Sequence, residues 1–134
     1  MNKLTAEQLV MINQKLTGNM EDVNEKTRIL IEEIVQMPYE QNEMSLYKYK
    51  GIIPKASKLG CSIARIKPFM QKNNQTAVIA ALTLLELNGV KLTNYEDNIT
   101  QLVEYFLAGD LESGCEWMRR RRIDSEIAEL YDPQ

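Results

Sequence analysis

Apolar residues recur at steps of three and four along most of the chain, which is the spacing of one face of an α-helix. The first such face consists of Leu9, Ile12 and Leu16. Thr5 precedes it, with Gln8 three residues later, and this capping-box pattern predicts the first turn of a helix. Gly18 predicts the end of that helix, because glycine favours the left-handed conformation that closes a helix.

The same spacing predicts five further helices. They run from about Val23 to Met37, from near Pro54 to Ile66, from Asn74 to Leu87, from after Asn94 to Gly109, and from Ser113 toward the end of the chain. The expected inward residues are Leu30, Ile31, Ile34 and Val35 in the second helix; Ala56, Leu59, Ile63 and Ile66 in the third; Ile99, Leu102, Val103, Phe106 and Leu107 in the fifth; and Trp117, Met118, Ile123, Ile127 and Leu130 in the sixth.

Local signals predict where these helices begin and end. Pro38 stops the second helix, and Gly89 suits the left-handed turn that closes the fourth. Glu96 and Asp97 suit the positive end of the fifth helix dipole. The sequence Ser113-Gly114-Cys115-Glu116 predicts a second capping box, at the start of the sixth helix.

The fourth predicted helix, residues 74–88, is apolar nearly all round, and we therefore expect it to be the buried central helix. Residues 39–53 are ambiguous, although Met44, Leu46, Tyr47 and Tyr49 suggest a further short helix broken near Gly51. Nothing in the sequence alternates as a strand does. We therefore predict an all-α protein, a compact single domain of residues 1–134 with about six helices around the central one.

Composition restricts the class of protein. The chain has 134 residues, a net charge of −3 and no apolar run of membrane-spanning length, and its first ten residues, MNKLTAEQLV, lack the apolar core of a signal peptide. We expect a cytoplasmic protein with no membrane association and no nucleic-acid partner. Cys61 and Cys115 fit no metal-ligand spacing, so we expect both to be reduced thiols in or near the core and expect no metal site.

The chain contains no histidine. No side chain therefore has an unperturbed pKa near neutrality. This excludes Ser-His and Cys-His catalytic pairs, zinc sites with histidine ligands and proton transfer by imidazole. Any enzymatic activity would depend on carboxylates, lysines, tyrosines or a bound cofactor.

Positive charge is concentrated in the middle of the chain. Between Glu43 and Glu86 there is no acidic residue, and the basic residues are Lys48, Lys50, Lys55, Lys58, Arg65, Lys67 and Lys72. This segment is either a solvated face whose counter-charges come from other helices or a cationic site for an anion.

A second basic run extends from Arg119 to Arg122. Four consecutive helical positions point all round the helix, and we therefore expect these arginines to pair with Glu116, Asp124 and Glu126. Phe69 and Trp117 are expected in the core.

Three segments resemble Doc-type proteins, the small members of the Fic/Doc superfamily. LTAEQLVMIN (4–13) resembles the opening helix of these proteins, ALTLLELNGV (81–90) the end of their central helix, and AGDLESGCEWM (108–118) their closing segment. Between them, KPFMQKNNQT (67–76) aligns without a gap with the family's active-site motif, His-x-Phe-x-Asp/Glu-Gly/Ala-Asn-Lys-Arg-Thr. The resemblance implies the Fic/Doc helical fold.

The aligned motif lacks the groups to which the family owes its chemistry. Lys67 stands at the histidine position, Gln71 at the acidic magnesium ligand, and Lys72 at the small residue of a tight turn. Asn74 and Gln75 replace the Lys-Arg pair that would hold nucleotide phosphates. No position of the motif is therefore assigned a catalytic role.

Other positions of the motif are kept. Pro68, Phe69, Asn73 and Thr76 match the family. The stretch TGNMED, residues 17–22, is only a partial match to the helix that holds some Fic proteins inactive, and the arginine that this helix would bind is replaced by Gln75.

The resemblance implies relatives that transfer a nucleotidyl or phosphoryl group, as in Doc, which is similar to a kinase acting on a translation elongation factor. Such transfer needs a base, a metal on the phosphates and cations for the developing charge. Loss of a general base alone costs about 10²–10⁴ in rate. We therefore expect a catalytically inactive Doc-like protein without a cofactor, which binds a protein partner such as an antitoxin helix in a toxin–antitoxin, phage or mobile-element context.

Two alternatives follow from the same residues. The first is a non-catalytic binder of nucleotide or phosphate at the former active site, using Lys67, Lys72, Asn73, Gln75 and Thr76 with the amides at the start of the fourth helix. The second is an enzyme of altered Fic-type nucleotidyl or phosphoryl transfer, with Lys67 as its base.

Overall fold

Six α-helices and one pair of two-residue strands make up the regular secondary structure of residues 1–94 and 96–123, the part of the chain that the computed structural model describes. The helices are α1 (Ala6–Thr17), α2 (Glu25–Gln36), α3 (Ile52–Ile66), α4 (Asn73–Leu87), α5 (Ile99–Ala108) and α6 (Leu111–Arg119). The strands β1 (Lys91–Leu92) and β2 (Arg122–Ile123) pair antiparallel, with Lys91 opposite Ile123. The all-α prediction is confirmed.

Several predicted helix ends are confirmed. The Thr5 hydroxyl accepts a hydrogen bond from the Gln8 amide at 3.1 Å, and the Gln8 side chain accepts one from the Thr5 amide at 2.8 Å, which completes the capping box of α1. Gly18 and Gly109 both adopt the left-handed conformation, with φ of 75° and 69°, and they end α1 and α5. These ends form locally because they depend only on neighbours along the chain.

The centre of the bundle is the contact between α3 and α4. α4 is buried over most of its length, as its all-round apolar sequence predicts. Alanines make the contact close: Ala56 and Ala64 on α3 and Ala77, Ala80 and Ala81 on α4 are fully buried. α3 also packs against α5 and α6.

Two glycines allow α3 to approach α5 and α6 closely. A Cβ at Gly60 would overlap the ring of Phe106 on α5, which is itself fully buried. A Cβ at Gly114 on α6 would lie 2.6 Å from the hydroxyl oxygen of Ser57, which donates a hydrogen bond to the Leu111 carbonyl at 3.0 Å. Both positions therefore require the absence of a side chain.

The last two described helices start differently from their predictions. α5 begins at Ile99, because Asn94 and Asn98 both adopt left-handed conformations that keep Glu96 and Asp97 in a turn outside the helix. α6 begins at Leu111 and its N-cap is Asp110, whose carboxylate accepts a hydrogen bond from the Ser113 amide at 3.1 Å. The predicted capping box at Ser113 is wrong, since an acidic residue three positions earlier takes the capping role.

Residues 39–53 do not form the short helix that their apolar residues suggested. α2 passes into one 3₁₀ turn, Met37–Tyr39, and then an irregular hairpin follows with an antiparallel bridge between Gln41 and Tyr47. The side chain of Asn42 accepts hydrogen bonds from the amides of Met44 and Leu46, which competes with helix formation.

Some expected core positions are exposed. Ile66 and Leu107 have 38% and 39% of their surface exposed, since each lies in the last turn of its helix. Ile123 belongs to β2, because α6 ends at Arg119, whereas the predicted positions Ile127 and Leu130 lie outside the described residues. Phe69 and Trp117 are buried, as predicted.

The arginine run is only partly paired within its helix. Arg120 forms the predicted bond with Glu116, at 3.0 Å. Arg121 instead stacks on the Trp117 ring at 3.8 Å and donates hydrogen bonds to the carbonyls of Trp117 and Asp97. The other two expected partners, Asp124 and Glu126, lie outside the described residues.

Both cysteines are buried free thiols, in agreement with the prediction. Burial raises the pKa of Cys61 to about 11 and also raises the pKa of Cys115. In the described part of the chain, no helix has the length and apolar character needed to cross a membrane.

We expect Gly60→Ala to lower the free energy of unfolding by about 1–3 kcal/mol, because the added methyl group overpacks the contact with Phe106. Helix propensity alone would change stability by about 1 kcal/mol in the opposite direction, so a net loss identifies the steric effect. Chemical denaturation followed by circular dichroism measures the change. Adding Phe106→Leu should recover part of the loss, and a Gly60→Ala protein more stable than the wild type would contradict the prediction.

Candidate functional site

Residues 67–72 connect the two central helices, and residues 73–76 are the start of α4. Lys67 ends α3, its amide donating to the Ile63 carbonyl at 3.0 Å, and Lys72 immediately precedes α4. Both lysines adopt left-handed conformations, with φ of 54° and 62°. This region is uncommon for residues with a side chain and is favoured by glycine, so the turn is held by contacts elsewhere in the loop. We call residues 67–72 the α3–α4 loop.

Asn73 closes the α3–α4 loop from within. Its side-chain oxygen accepts a hydrogen bond from the Phe69 amide at 3.0 Å, and its side-chain nitrogen donates to the Phe69 carbonyl at 2.8 Å. Phe69 is 8% exposed and belongs to the core. The pair therefore anchors the middle of the loop to the first residue of α4.

Asn13 of α1 fixes the loop from the opposite side. Its side-chain nitrogen donates to the carbonyl of Gln71 at 2.9 Å and to the hydroxyl of Thr76 at 3.1 Å. Thr76 is fully buried, and Asn13 is 9% exposed. A polar residue on the buried face of α1 thus connects the loop to the rest of the core.

A cavity of ≈ 500 Å³ lies beside the loop. Its walls come from α1, the connection between α1 and α2, the start of α2 and loop residues 68–71. Val10, Val23 and Phe69 supply apolar surface, and Asn13 supplies polar surface. The cavity thus brings part of the predicted site, residues 68–71, together with α1 and the α1–α2 connection.

The charged groups in the cavity wall are acidic. Glu21 and Asp22 line it, whereas Lys67 and Lys72 do not. Asp22 is paired with Arg28 at 2.7 Å, and Arg28 also lies 3.7 Å from Glu7. The cavity itself is therefore not the cationic pocket that the sequence suggested for an anion.

Several cations of the central basic segment have partners within the protein. Lys48 pairs with Glu40 at 3.5 Å, and Lys58 lies over the Tyr49 ring. Arg65 donates to the Ala108 carbonyl at the end of α5, at 3.1 Å. Lys48 and Lys58 therefore have partners in the 39–51 hairpin, whereas Arg65 has its partner at the end of α5.

Lys55 is the exception in this segment, because it is buried. It is 1% exposed, its ammonium lies 4.4 Å from the centre of the Tyr47 ring, and it donates to the Tyr49 carbonyl. Burial lowers the pKa of Lys55. Its role in the structure is to fasten the 39–51 hairpin onto α3.

The predicted anion-binding residues are close in sequence, but they differ in their hydrogen bonds and in their exposure. Asn73 and Thr76 are already engaged in hydrogen bonds within the protein. Lys67, Lys72 and Gln75 are exposed. The start of α4 has no side-chain cap, so its first amides are the donors left for a ligand.

The ionisable side chains of the loop and the cavity wall are two lysines and two carboxylates. Within residues 1–94 and 96–123, no group of three Cys, Asp or Glu side chains is placed to hold a metal ion. The charged side chains of the α3–α4 loop are those of Lys67 and Lys72, both exposed. The acidic residues of the cavity wall are Glu21 and Asp22, of which Asp22 is held by Arg28.

The surface around the cavity exposes two methionines. Met70, in the loop, is completely exposed, and Met20, between α1 and α2, is 70% exposed. Methionine adapts its shape to a partner and is frequent at surfaces that bind other proteins. Met70 lines the partly apolar cavity, and Met20 lies in the chain between Asn19 and Glu21, which line it. This makes the area suited to contact with an apolar segment.

Sequence reasoning missed Asn13, Glu21 and Asp22 as residues of this site. A signal existed for Asn13, since it falls between Leu9 and Leu16 on the apolar face of α1, where a polar residue needs a partner. Glu21 and Asp22 belong to the stretch 17–22, which the sequence offered only as a partial match to an inhibitory helix. In the structure α1 ends at Thr17, and both acidic residues lie in the connection to α2, where they line the cavity.

Comparison with known proteins returns no relative. No model of a protein family matches the chain. No curated protein and no solved structure matches it either.

We expect Asn73→Ala to lower the free energy of unfolding by about 1–3 kcal/mol, since it removes two hydrogen bonds, each worth about 0.5–1.5 kcal/mol. Asn74→Ala is the matched control: the same substitution, one position further along α4, where the described structure gives the side chain no hydrogen bond, should change stability by about 0.5 kcal/mol or less. Chemical denaturation of the two variants measures both effects. Equal losses would contradict the role assigned to Asn73.

Proposed function

We propose that this chain is a catalytically inactive relative of the Doc-type proteins and that it functions by binding another protein. The observation that carries the proposal is a division within the segment 67–76. Positions that match the Fic/Doc motif have structural roles in the fold, whereas positions that differ from it place their side chains at the surface.

The matched positions support the loop. Phe69 is buried, Asn73 binds both backbone groups of Phe69, and Thr76 is buried against Asn13. Pro68 lines the cavity beside the loop. A chain under selection for the scaffold alone would keep these four residues.

The replaced positions are those that the family uses for chemistry. Lys67, Gln71, Lys72 and Gln75 are exposed, and Asn74 is half-buried. Lys72 has the left-handed conformation that a glycine would adopt more easily, at the position where the family has a small residue. An altered side chain at any of these positions leaves the hydrogen bonds of the loop intact.

The missing groups make group transfer of the family's kind too slow to be the function. The base and the acidic metal ligand are absent, and so are both cations that would hold the phosphates. Loss of one oriented charge donor typically costs about 10²–10³ in rate, in addition to the loss of the base, although such effects do not simply add.

The partner we propose is a protein segment with one apolar face, such as the helix of an antitoxin. It would contact Met20 and Met70 and insert an apolar side chain between Val10 and Phe69. Glu21 lines the cavity, and the loop beside the cavity carries Lys67 and Lys72. The partner segment should therefore carry both signs of charge as well. The resemblance places such a pair in a toxin–antitoxin, phage or mobile-element setting.

The experiment is affinity capture from the native host with the wild type, Met70→Glu and Met44→Glu. We expect a protein that is captured by the wild type and by Met44→Glu but lost with Met70→Glu, because a charge at Met70 would be buried against the apolar partner. Met44→Glu is the control, because Met44 is 78% exposed and does not line the cavity.

Two results would contradict the proposal. One is a set of captured proteins that is the same for all three forms. The other is transfer of label from ATP in the presence of magnesium that disappears with Lys67→Ala, which would show an active enzyme.

A second function, binding of nucleotide or phosphate without catalysis, is favoured by one observation. The amides of Asn73, Asn74 and Gln75 begin α4 without a side-chain cap, and Lys67 and Lys72 are exposed next to them. An anion at this position would be stabilised by the helix dipole and by the two ammonium groups.

If this second function holds, a nucleotide at 100 times its Kd should stabilise the fold by about 2.7 kcal/mol. A thermal-shift panel of nucleotides and inorganic phosphate measures this. Combining Lys67→Glu with Lys72→Glu should abolish the shift, while Lys91→Glu, an exposed lysine at the start of β1, should leave it unchanged. A panel without any shift would remove this function.

A further inference from the structure

The wall that α1 contributes to the cavity beside the α3–α4 loop is apolar at one end and polar at the other. Val10, Asn13, Gln14 and Thr17 line the cavity and follow one another at steps of three, one and three, so they lie on one side of α1. Val10 is apolar, whereas the three residues after it are polar. The apolar side chain proposed for the partner therefore accounts for only one part of the cavity.

The charged groups that line the cavity are two carboxylates, those of Glu21 and Asp22. In the described part of the chain, no cation pairs with Glu21. Asp22 uses one oxygen, Oδ1, to accept hydrogen bonds from Arg28 at 2.7 Å and from the Val23 amide at 2.9 Å. Its other oxygen accepts none from the described residues. The polar part of the cavity thus offers negative charge to a ligand.

The side chain of Asn13 adds an uncharged acceptor. It is 9% exposed and lines the cavity. Its nitrogen donates to the Gln71 carbonyl and to the Thr76 hydroxyl, which fixes the orientation of the amide group. Its oxygen accepts no hydrogen bond from residues 1–94 and 96–123. A buried acceptor without a partner is unfavourable, and a donor from a ligand in the cavity would satisfy it.

The connection that carries the two carboxylates is held by hydrogen bonds. The side-chain nitrogen of Gln14 donates to the carbonyls of Met20 and Glu21, at 3.4 and 3.3 Å. The side-chain oxygen of Asn19 accepts a hydrogen bond from the Glu21 amide at 3.0 Å. These bonds place the acidic residues before a ligand arrives, so that binding requires little further ordering of the connection.

We propose that the polar part of this cavity receives an arginine side chain of the protein partner, next to the apolar side chain of the same segment. This inference rests on the proposed function and names the chemistry that the partner presents. The guanidinium would donate to the Glu21 carboxylate, to the second oxygen of Asp22 and to the Asn13 oxygen. The apolar stem of the arginine would pack on Val10 and Val23, which line the cavity.

Arginine suits the cavity better than lysine. A guanidinium has more N–H donors than an ammonium, binds a carboxylate through two parallel hydrogen bonds and stacks on aromatic rings. Phe69 offers such a ring in the cavity wall. The volume of ≈ 500 Å³ falls within the range of about 300–1,000 Å³ for pockets that bury a drug-sized ligand. The cavity therefore has room for an apolar side chain and an arginine together.

Binding of small probes to the full chain tests the proposal. The probes are the N-acetyl, N-methylamide derivatives of arginine, lysine and norleucine, which share a backbone and differ in the head group of the side chain. Heteronuclear NMR spectra of the isotope-labelled protein follow their binding. We expect the arginine probe to shift the signals of the Asn13 side-chain amide and the Glu21 backbone amide saturably. The lysine probe should do so more weakly, and the norleucine probe should leave them unchanged.

Glu21→Gln should weaken binding of the arginine probe by about two- to fivefold, the range for an exposed ion pair. Glu43→Gln is the matched control and should leave binding unchanged, because Glu43 is exposed on the 39–51 hairpin and does not line the cavity. Both substitutions are at exposed positions, where changes have little effect on stability. Added salt should weaken binding to the wild type more than binding to Glu21→Gln.

Three results would overturn the proposal. Equal shifts with the arginine and norleucine probes would show recognition of apolar surface alone. Equal weakening by Glu21→Gln and Glu43→Gln would show general attraction to an acidic protein. The third result is the absence of a saturable shift at the residues that line the cavity.

A capture experiment that includes Glu21→Lys separates this inference from the proposed function. If a protein is lost with Met70→Glu but kept with Glu21→Lys, binding of a partner stands and the arginine contact is wrong. If the arginine probe binds in the cavity but the same proteins are captured by the wild type, Met70→Glu and Met44→Glu, the arginine site stands and the proposed function is wrong.

Discussion

The geometry of the candidate site depends on two asparagines that bind the loop between the two central helices. Asn73 holds the backbone of Phe69 from the start of α4, and Asn13 holds Gln71 and the buried Thr76 from α1. The first and last residues of this loop, Lys67 and Lys72, have left-handed conformations, which are unfavourable for residues with a side chain. The asparagine bonds supply the opposing stabilisation, because they satisfy backbone groups that the turn leaves without helix partners.

If the proposed function holds, the division between buried residues that support the loop and exposed residues that differ from the motif would explain how such a site keeps its shape without its activity. The side chains that support the loop point into the protein, and their loss would leave buried polar groups without partners. The exposed positions of the loop carry no such constraint, and substitution there costs little stability. A scaffold arranged in this way can change from transfer of a group to recognition of a partner without refolding its core.

The proposed binding of a protein partner is also consistent with the distribution of apolar surface on the fold. α3 uses small residues to approach α4, α5 and α6, so its apolar surface is consumed inside the bundle. α4 is apolar on nearly all sides, yet the described neighbours leave Ile79 partly exposed. Methionines are exposed both beside the α3–α4 loop and on α1, at Met70 and Met11. The fold thus presents two apolar surfaces that are distinct, one at the loop and one along α4.

The sequence alone determined the helical class, most helix positions and the local caps, because these depend on residues within a few positions of one another. Thr5 with Gln8, Gly18 and Gly109 are examples in which the neighbours decide the conformation. Only the tertiary structure decided the hairpin at 39–51, the late start of α5 and the acidic wall of the cavity. Each of these depends on groups distant in sequence or on competition between local hydrogen bonds, such as Asn42 against a helix and Lys55 beneath Tyr47. The same reason explains why cations that are adjacent along the chain have different partners in the fold. Lys48, Lys55 and Lys58 contact the 39–51 hairpin, and Arg65 contacts the end of α5.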